Sequence, residues 1–305
     1  MIVTIAAHQV QSLRRRRVLA VFLGLVVAMT ALAGAIGWSS HRTIVRVYNE
    51  AVTLLAAEGK TAPPNPFELK PSLSLLSNMV IYIPLIGALL AMIVGHLSVA
   101  DDESSGLGRL IFSRRVSRSS YVAGKLAGTA VVIATVLAAS LAVSVIALLV
   151  ANGSLPGEGD LARLAGFYGL SWLYLMLFAV IGMVTVLVMS RRSLALLSAL
   201  GIWLVITFVV PQVTSGLRPT TSLNPISDPA GTSEAFFRVT NRARPFSISE
   251  QYKTAGTQIL QIGIGDTTAE TLLRVLPIAG LLVCLAFLTA WLVGHHDYSR
   301  STSDG

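Results

Sequence analysis

Of 305 residues, 53% are hydrophobic and only 12% charged, against roughly 25% charged in an ordinary soluble domain, and the mean hydropathy is +0.71. The 23 Lys and Arg and 15 Asp and Glu are too few to clothe a globular chain of this length, so a soluble domain is excluded; so is disorder, which needs low hydrophobicity and dense charge. The net charge of +8 would suggest nucleic acid only if the cations shared one exposed face, and the lone Cys284 leaves no disulfide framework and no cysteine metal cluster.

In chain order, the sequence predicts an all-α integral membrane protein with six transmembrane helices, a single transmembrane domain over residues 1–305. Residues 1–17 come first. Ile2, Ile5, Ala6, Val10 and Leu13 recur at helical spacing with His8, Gln9 and Gln11 between them, and Arg14 to Arg17 follow. This pattern predicts an amphipathic interfacial helix on the membrane surface, with a disordered leader as the alternative.

A bilayer core of about 30 Å takes about 20 apolar residues per helix. Stretches of that kind run over 18–38, 76–99, 122–150, 167–189, 194–213 and 275–293. Apart from Lys125, near the start of the third, none holds Asp, Glu, Lys or Arg. The first also resembles a signal peptide, with Ala31-Leu32-Ala33 as a cleavage site, although its apolar run continues to Trp38. Between spans one and two lies a helical patch (Ile44, Val47, Ala51, Leu54, Leu55), then the breaker run Ala62-Pro63-Pro64-Asn65-Pro66. Pro84 inside the second span is tolerable where neighbours satisfy the freed carbonyl. In the third span Gly124 and Gly128 form a Gly-x-x-x-Gly pair continued by Ala127, Ala130, Ala134 and Ala138, which predicts close helix packing. The segment 214–274 is too long for a simple connector. Within it Ile248, Tyr252, Ala255, Ile259 and Ile262 share the face of an amphipathic helix packed over the membrane domain.

Orientation follows the bias of Lys and Arg in short loops. Arg14 to Arg17, Arg109, Arg114, Arg115, Arg118, Lys125, Arg191, Arg192 and Arg300 all fall on one side if the first tail is cytoplasmic. The basic balance is thus a topology signal. It places both termini in the cytoplasm of a multi-pass plasma-membrane protein, 100–121 as a cytoplasmic loop and 214–274 outside.

Several chemistries are missing. The string Gly59-Lys60-Thr61 ends like a phosphate-binding loop, but Leu54 stands where the first glycine belongs. Gly263-Ile264-Gly265-Asp266 matches a short aspartyl-protease string, yet no span supplies the second aspartate that chemistry needs. His295, His296 and Asp297 read as an interfacial exit, since adjacent helical residues point about 100° apart. No catalytic or metal-ligating residue is assigned. Nor do the spans hold the interior acids that proton relays use, although His96 keeps a secondary transporter as an alternative.

The densest cluster of charge lies between spans two and three. Asp101, Asp102 and Glu103 precede Gly106; Leu107, Leu110 and Ile111 share one face; four arginines follow. Spacing alone admits either a short amphipathic helix or a solvated basic loop. The segment resembles the cytoplasmic stretch of the membrane subunits of ABC transporters of the type-2 permease family. The matching positions are Glu103, Gly106, Arg109, Leu110, Ser113, Arg114, Val116, Ser117 and Arg118, with Gly124 and Lys125 opening the next helix. Leu107, Gly108 and Arg115 depart from that pattern. Gly108 weakens a helix by up to about 1 kcal/mol relative to alanine, and Arg115 removes a fixed turn. The run Ile83-Pro84-Leu85-Ile86 is similar to the branch that includes copper-processing permeases of nitrous oxide reductase maturation.

The resemblance implies a permease subunit that binds no cofactor itself. ATP and Mg sit on a separate ABC ATPase, two copies of which dock under a pair of permease chains, a homodimer or a heterodimer with a related chain. Glu103, Gly106, Arg109, Leu110, Ser113, Arg114 and Arg118 would form the coupling helix seated on that ATPase. The remaining partner is membrane lipid, and no nucleic acid is expected. By the same analogy the cargo is an exported amphipathic or lipid-like molecule, with no substrate-binding residue legible. A scaffold holding an extracytoplasmic partner is the third reading.

Overall fold

In the computed structural model, residues 1–61, 72–104, 117–189, 191–214, 239–262 and 268–295 are described, and every regular element among them is helical. Helix α1 spans Ile2–Arg15 and α2 Val18–Ala57. A short 3₁₀ turn, Ser72–Leu76, leads into α3 (Met79–Tyr82), a π-turn (Ile83–Gly87) and α4 (Ala88–Ser104). Then come α5 (Arg118–Asn152), α6 (Glu158–Val188) and α7 (Arg192–Leu204). A second π-turn (Val205–Val209) joins α7 to α8 (Val210–Thr214). The last two are α9 (Ile248–Ile259) and α10 (Thr268–His295). Six segments are long and apolar enough to cross a membrane: Val18–Ala57, Met79–Asp102, Arg118–Asn152, Glu158–Val188, Arg192–Thr214 and Glu270–His295. They are called spans 1 to 6 below.

Helices overrun the apolar stretches because their ends are chemically marked. Ser117 caps α5, its Oγ accepting from the Ser120 N–H at 3.3 Å. Gly153, at φ +72°, ends that helix with its N–H on the Leu149 carbonyl. Span 4 starts nine residues before its apolar run, at Glu158, where Glu158 and Asp160 face the positive end of the helix dipole. The largest departure is span 1. No proline interrupts the chain between Gly37 and Pro63, so the helical patch around Val47 and Leu54 continues span 1 as one 40-residue helix. Val47 and Leu54 lie exposed on it.

Span 4 is the hub. Its most apolar stretch is 78% buried, against 17% and 11% for spans 5 and 6, and Tyr174, Leu177, Phe178, Ala179 and Val180 are wholly enclosed. Its closest neighbour is span 2. A Cβ added at Gly95 would collide with the Ala179 carbonyl, and one at Gly182 with the Met92 carbonyl. Two glycines therefore set the backbone separation of the central pair. The π-turns have a common setting in proline, Pro84 within the first and Pro211 just after the second, since proline removes one rung of the helical ladder.

Gly182→Val should force spans 2 and 4 apart, costing about 1–3 kcal/mol or more as overpacking does, read as a lower apparent Tm of the purified protein. Gly280→Val, where a Cβ meets open space, should leave the Tm unchanged.

Candidate functional site

The charged cluster at the end of span 2 builds a site that the apolar spans alone would not suggest. The helix continues past Val99 through Asp101 and Asp102 to Ser104. Successive helical side chains diverge by about 100°, so the two carboxylates reach different neighbours. Asp101 turns to the N-terminal segment, where an Arg16 nitrogen lies 3.0 Å from its Oδ1. Asp102 turns to span 3, where Lys125 Nζ lies 2.7 Å from Oδ2. The Tyr121 hydroxyl donates to the same oxygen at 2.7 Å, and Lys125 Nζ also donates to the Ser98 carbonyl at 2.6 Å.

Asp102 and Lys125 are 6% and 5% exposed, so neither charge is stable there without the other. Removing two ions from water costs several kcal/mol each, offset only when geometry and additional hydrogen bonds are good. Here the lysine has two acceptors and the carboxylate two donors. The pair joins span 2 to span 3 near the ends that residues 105–116 connect in the sequence.

Helix α1 forms the third side. Gln9, read from the sequence as one of the polar residues between apolar ones, lies instead on the packed face and is 2% exposed. Its Nε2 donates to Thr129 Oγ1 at 2.7 Å. The spacing 2, 5, 6, 9, 13 shares one helical face, and a polar member is accommodated because span 3 supplies a hydroxyl. Gly124 and Gly128 lie beneath this helix. A Cβ at Gly124 would press on Ile5, at 2.7 Å, and one at Gly128 on Gln9 Oε1, also at 2.7 Å. The small-residue stripe of span 3 is thus occupied at these two positions by the chain's own first helix.

Arg118, the first residue of α5, donates through Nη1 to the Gly294 carbonyl in the last turn of span 6, where a cation is favoured by the helix dipole. Residues 105–116 are therefore flanked by a stem tied to α1 and span 3 through Asp101 and Asp102, and by another tied to span 6 through Arg118. These contacts join the ends of spans 2 and 3 to α1 and to span 6.

Of the residues singled out in the sequence, Arg118, Gly124 and Gly128 take these positions. Glu103 lies in the last turn of α4, its side chain outside the described set. Gly106, Arg109, Leu110, Ser113 and Arg114, and with them the expected coupling helix, lie outside the described residues. Asp102, Lys125, Tyr121 and Arg16 are the additional members. Their signal was the one charge inside a span, Lys125, which needs a partner of opposite sign within reach.

A family model described as ABC-2 family transporter protein matches residues 3–292. No curated protein matches the chain.

Lys125→Met should leave Asp102 buried without its partner and lower stability by about 3–5 kcal/mol. The double change Asp102→Leu with Lys125→Met should recover most of that loss, measured as apparent Tm in the same detergent.

Proposed function

The chain belongs to the ABC-2 family of transporter proteins, and from that premise we propose that it carries its cargo outward, driven by a separate ATPase seated on residues 103–118. It is a multi-pass membrane permease subunit of an ABC transporter, and the membrane component of such a transporter is not itself catalytic. Permeases of this family generally work with an ATPase subunit and dimerise. For this chain we take the ATPase as two copies, holding ATP and Mg, beneath two permease chains in the plasma membrane.

The observation that carries the reading is the extent of the family match, which runs through all six spans and the loop between spans 2 and 3. The sidedness rests on charge. Arg14 to Arg17, Arg118, Arg191 and Arg192 belong to one end of the bundle, and arginine-rich short loops favour the cytoplasm. On that reading both termini and the coupling loop are cytoplasmic.

The mechanism follows from the stems. ATP-driven closure of two ATPases displaces the loop helix in each permease. The Asp102–Lys125 pair and the Arg16–Asp101 bridge carry the displacement into span 3 and α1, and Arg118 carries it into span 6. Because packed helices shift between discrete arrangements instead of deforming continuously, the pull changes which side of the bundle is accessible. Spans faced with Leu, Val and Ala suit an amphipathic or lipid-like cargo.

Glu103→Lys should reduce the ATPase retained by tagged permease about tenfold, the factor that 1.4 kcal/mol gives, in co-purification from cells expressing both chains. Transport should stop in a strain lacking the partner ATPases. Transport that persists there, and collapses when the proton gradient is dissipated, would replace this reading with ion coupling.

A further inference from the structure

At the end of the bundle opposite the arginines, span 5 breaks at Val205–Val209, and the break leaves one carbonyl without a donor in its own helix. Val210 N–H donates to the Val205 carbonyl, five residues back. The next carbonyl, that of Ile206, would look to position 210 or 211. Val210 is already committed, and Pro211 has no N–H. In a buried or lipid-facing setting, a carbonyl without a donor is costly.

The donor comes from outside the span. Ser249, fully buried in the first turn of α9, places its Oγ 3.0 Å from the Ile206 carbonyl. Its single proton is thereby used. Tyr174 of span 4, also fully buried, lies with its hydroxyl 2.9 Å from Ser249 Oγ and so acts as donor to it. A second relay runs alongside. The Ser171 hydroxyl donates to the Phe167 carbonyl at 2.8 Å, so the Tyr252 hydroxyl, 2.9 Å from Ser171 Oγ, is its donor. Burial pushes the Tyr252 hydroxyl well above the ordinary tyrosine range, which keeps it a neutral donor. The Tyr174 and Tyr252 rings lie 4.4 Å apart.

We propose that Ser249 is a positioning residue which completes the proline-interrupted turn of span 5 and so joins α9 to that turn as one hinge. When α9 lifts from the body, the Ile206 carbonyl loses its donor and the turn must re-form with other partners. When the turn re-forms first, α9 loses the anchor of its first turn. The linkage is reciprocal, as any coupling free energy is. It stands whichever ATPase or cargo serves the permease, because it involves only spans 4 and 5 and the helix over them.

The proposal is tested by hydrogen exchange on the full-length protein in detergent, followed by mass spectrometry of peptides from Ile248–Ile259. Ser249→Ala should speed exchange there about fivefold, the factor of one net hydrogen bond, and Ser249→Thr, which keeps the hydroxyl, should restore protection. Pro211→Ala supplies the missing N–H, so adding Ser249→Ala to it should speed exchange less than about twofold, a coupling that independent sites do not show. Equal effects of Ser249→Ala in both backgrounds would overturn the proposal, as would Ser249→Thr behaving like alanine. Should Ser249→Ala fail to accumulate alone, Pro211→Ala is expected to rescue its accumulation, and no rescue counts against the hinge.

Discussion

Hydrocarbon offers no hydrogen bonds, so every carbonyl and every charge this chain carries into the membrane must find its partner within the protein. That constraint shapes both ends of the bundle. At the basic end it pairs Lys125 with Asp102 and gives each a second partner. At the other end it assigns a serine from an outer helix to a carbonyl that proline has stranded. Between them the spans meet its demand chiefly by ordinary helical hydrogen bonding, which is why they can be built so largely from apolar residues.

The two ends use different chemistry for the same need. The basic end is ionic. Its bonds depend strongly on distance in a low dielectric, so they hold helices in register. The contact of α9 with spans 4 and 5 is neutral, a relay of hydroxyls in which each group donates once. Neutral bonds are weaker net, about 1 kcal/mol each, and can be exchanged at modest cost.

Much of this architecture was legible in composition. The scarcity of charge locates six spans, and the family resemblance rested on residues 103 to 125. Three features were hidden, each for a physical reason. Gln9 reads as polar and therefore exposed, because periodicity cannot know that Thr129 waits across the packing interface. The continuation of span 1 to Ala57 was obscured by falling hydropathy after Trp38, although a helix needs no apolar residues to continue, only the absence of breakers. The role of Ser249 depends on a proline 38 positions earlier in the sequence, and no local pattern connects the two. The Gly124 and Gly128 stripe shows the reverse case: its close-packing chemistry was plain in the sequence, but its partner, the chain's own α1, was not.

The length of α2 has a mechanical meaning. Forty residues at 1.5 Å each make a rod of about 60 Å, roughly twice the hydrocarbon thickness. It is joined to α1 through Arg16 and Arg17, the latter at φ +61°, and Arg16 is bound to Asp101. The first end of the rod therefore sits beside the ionic contacts of Asp101, and its middle is held to the bundle where Gly34 and Gly37 pack on Ala147 and Leu75. Anchored at its start and gripped at Gly34 and Gly37, the rod leaves its last third, with Val47 and Leu54 exposed, as the part least tied to the other described residues.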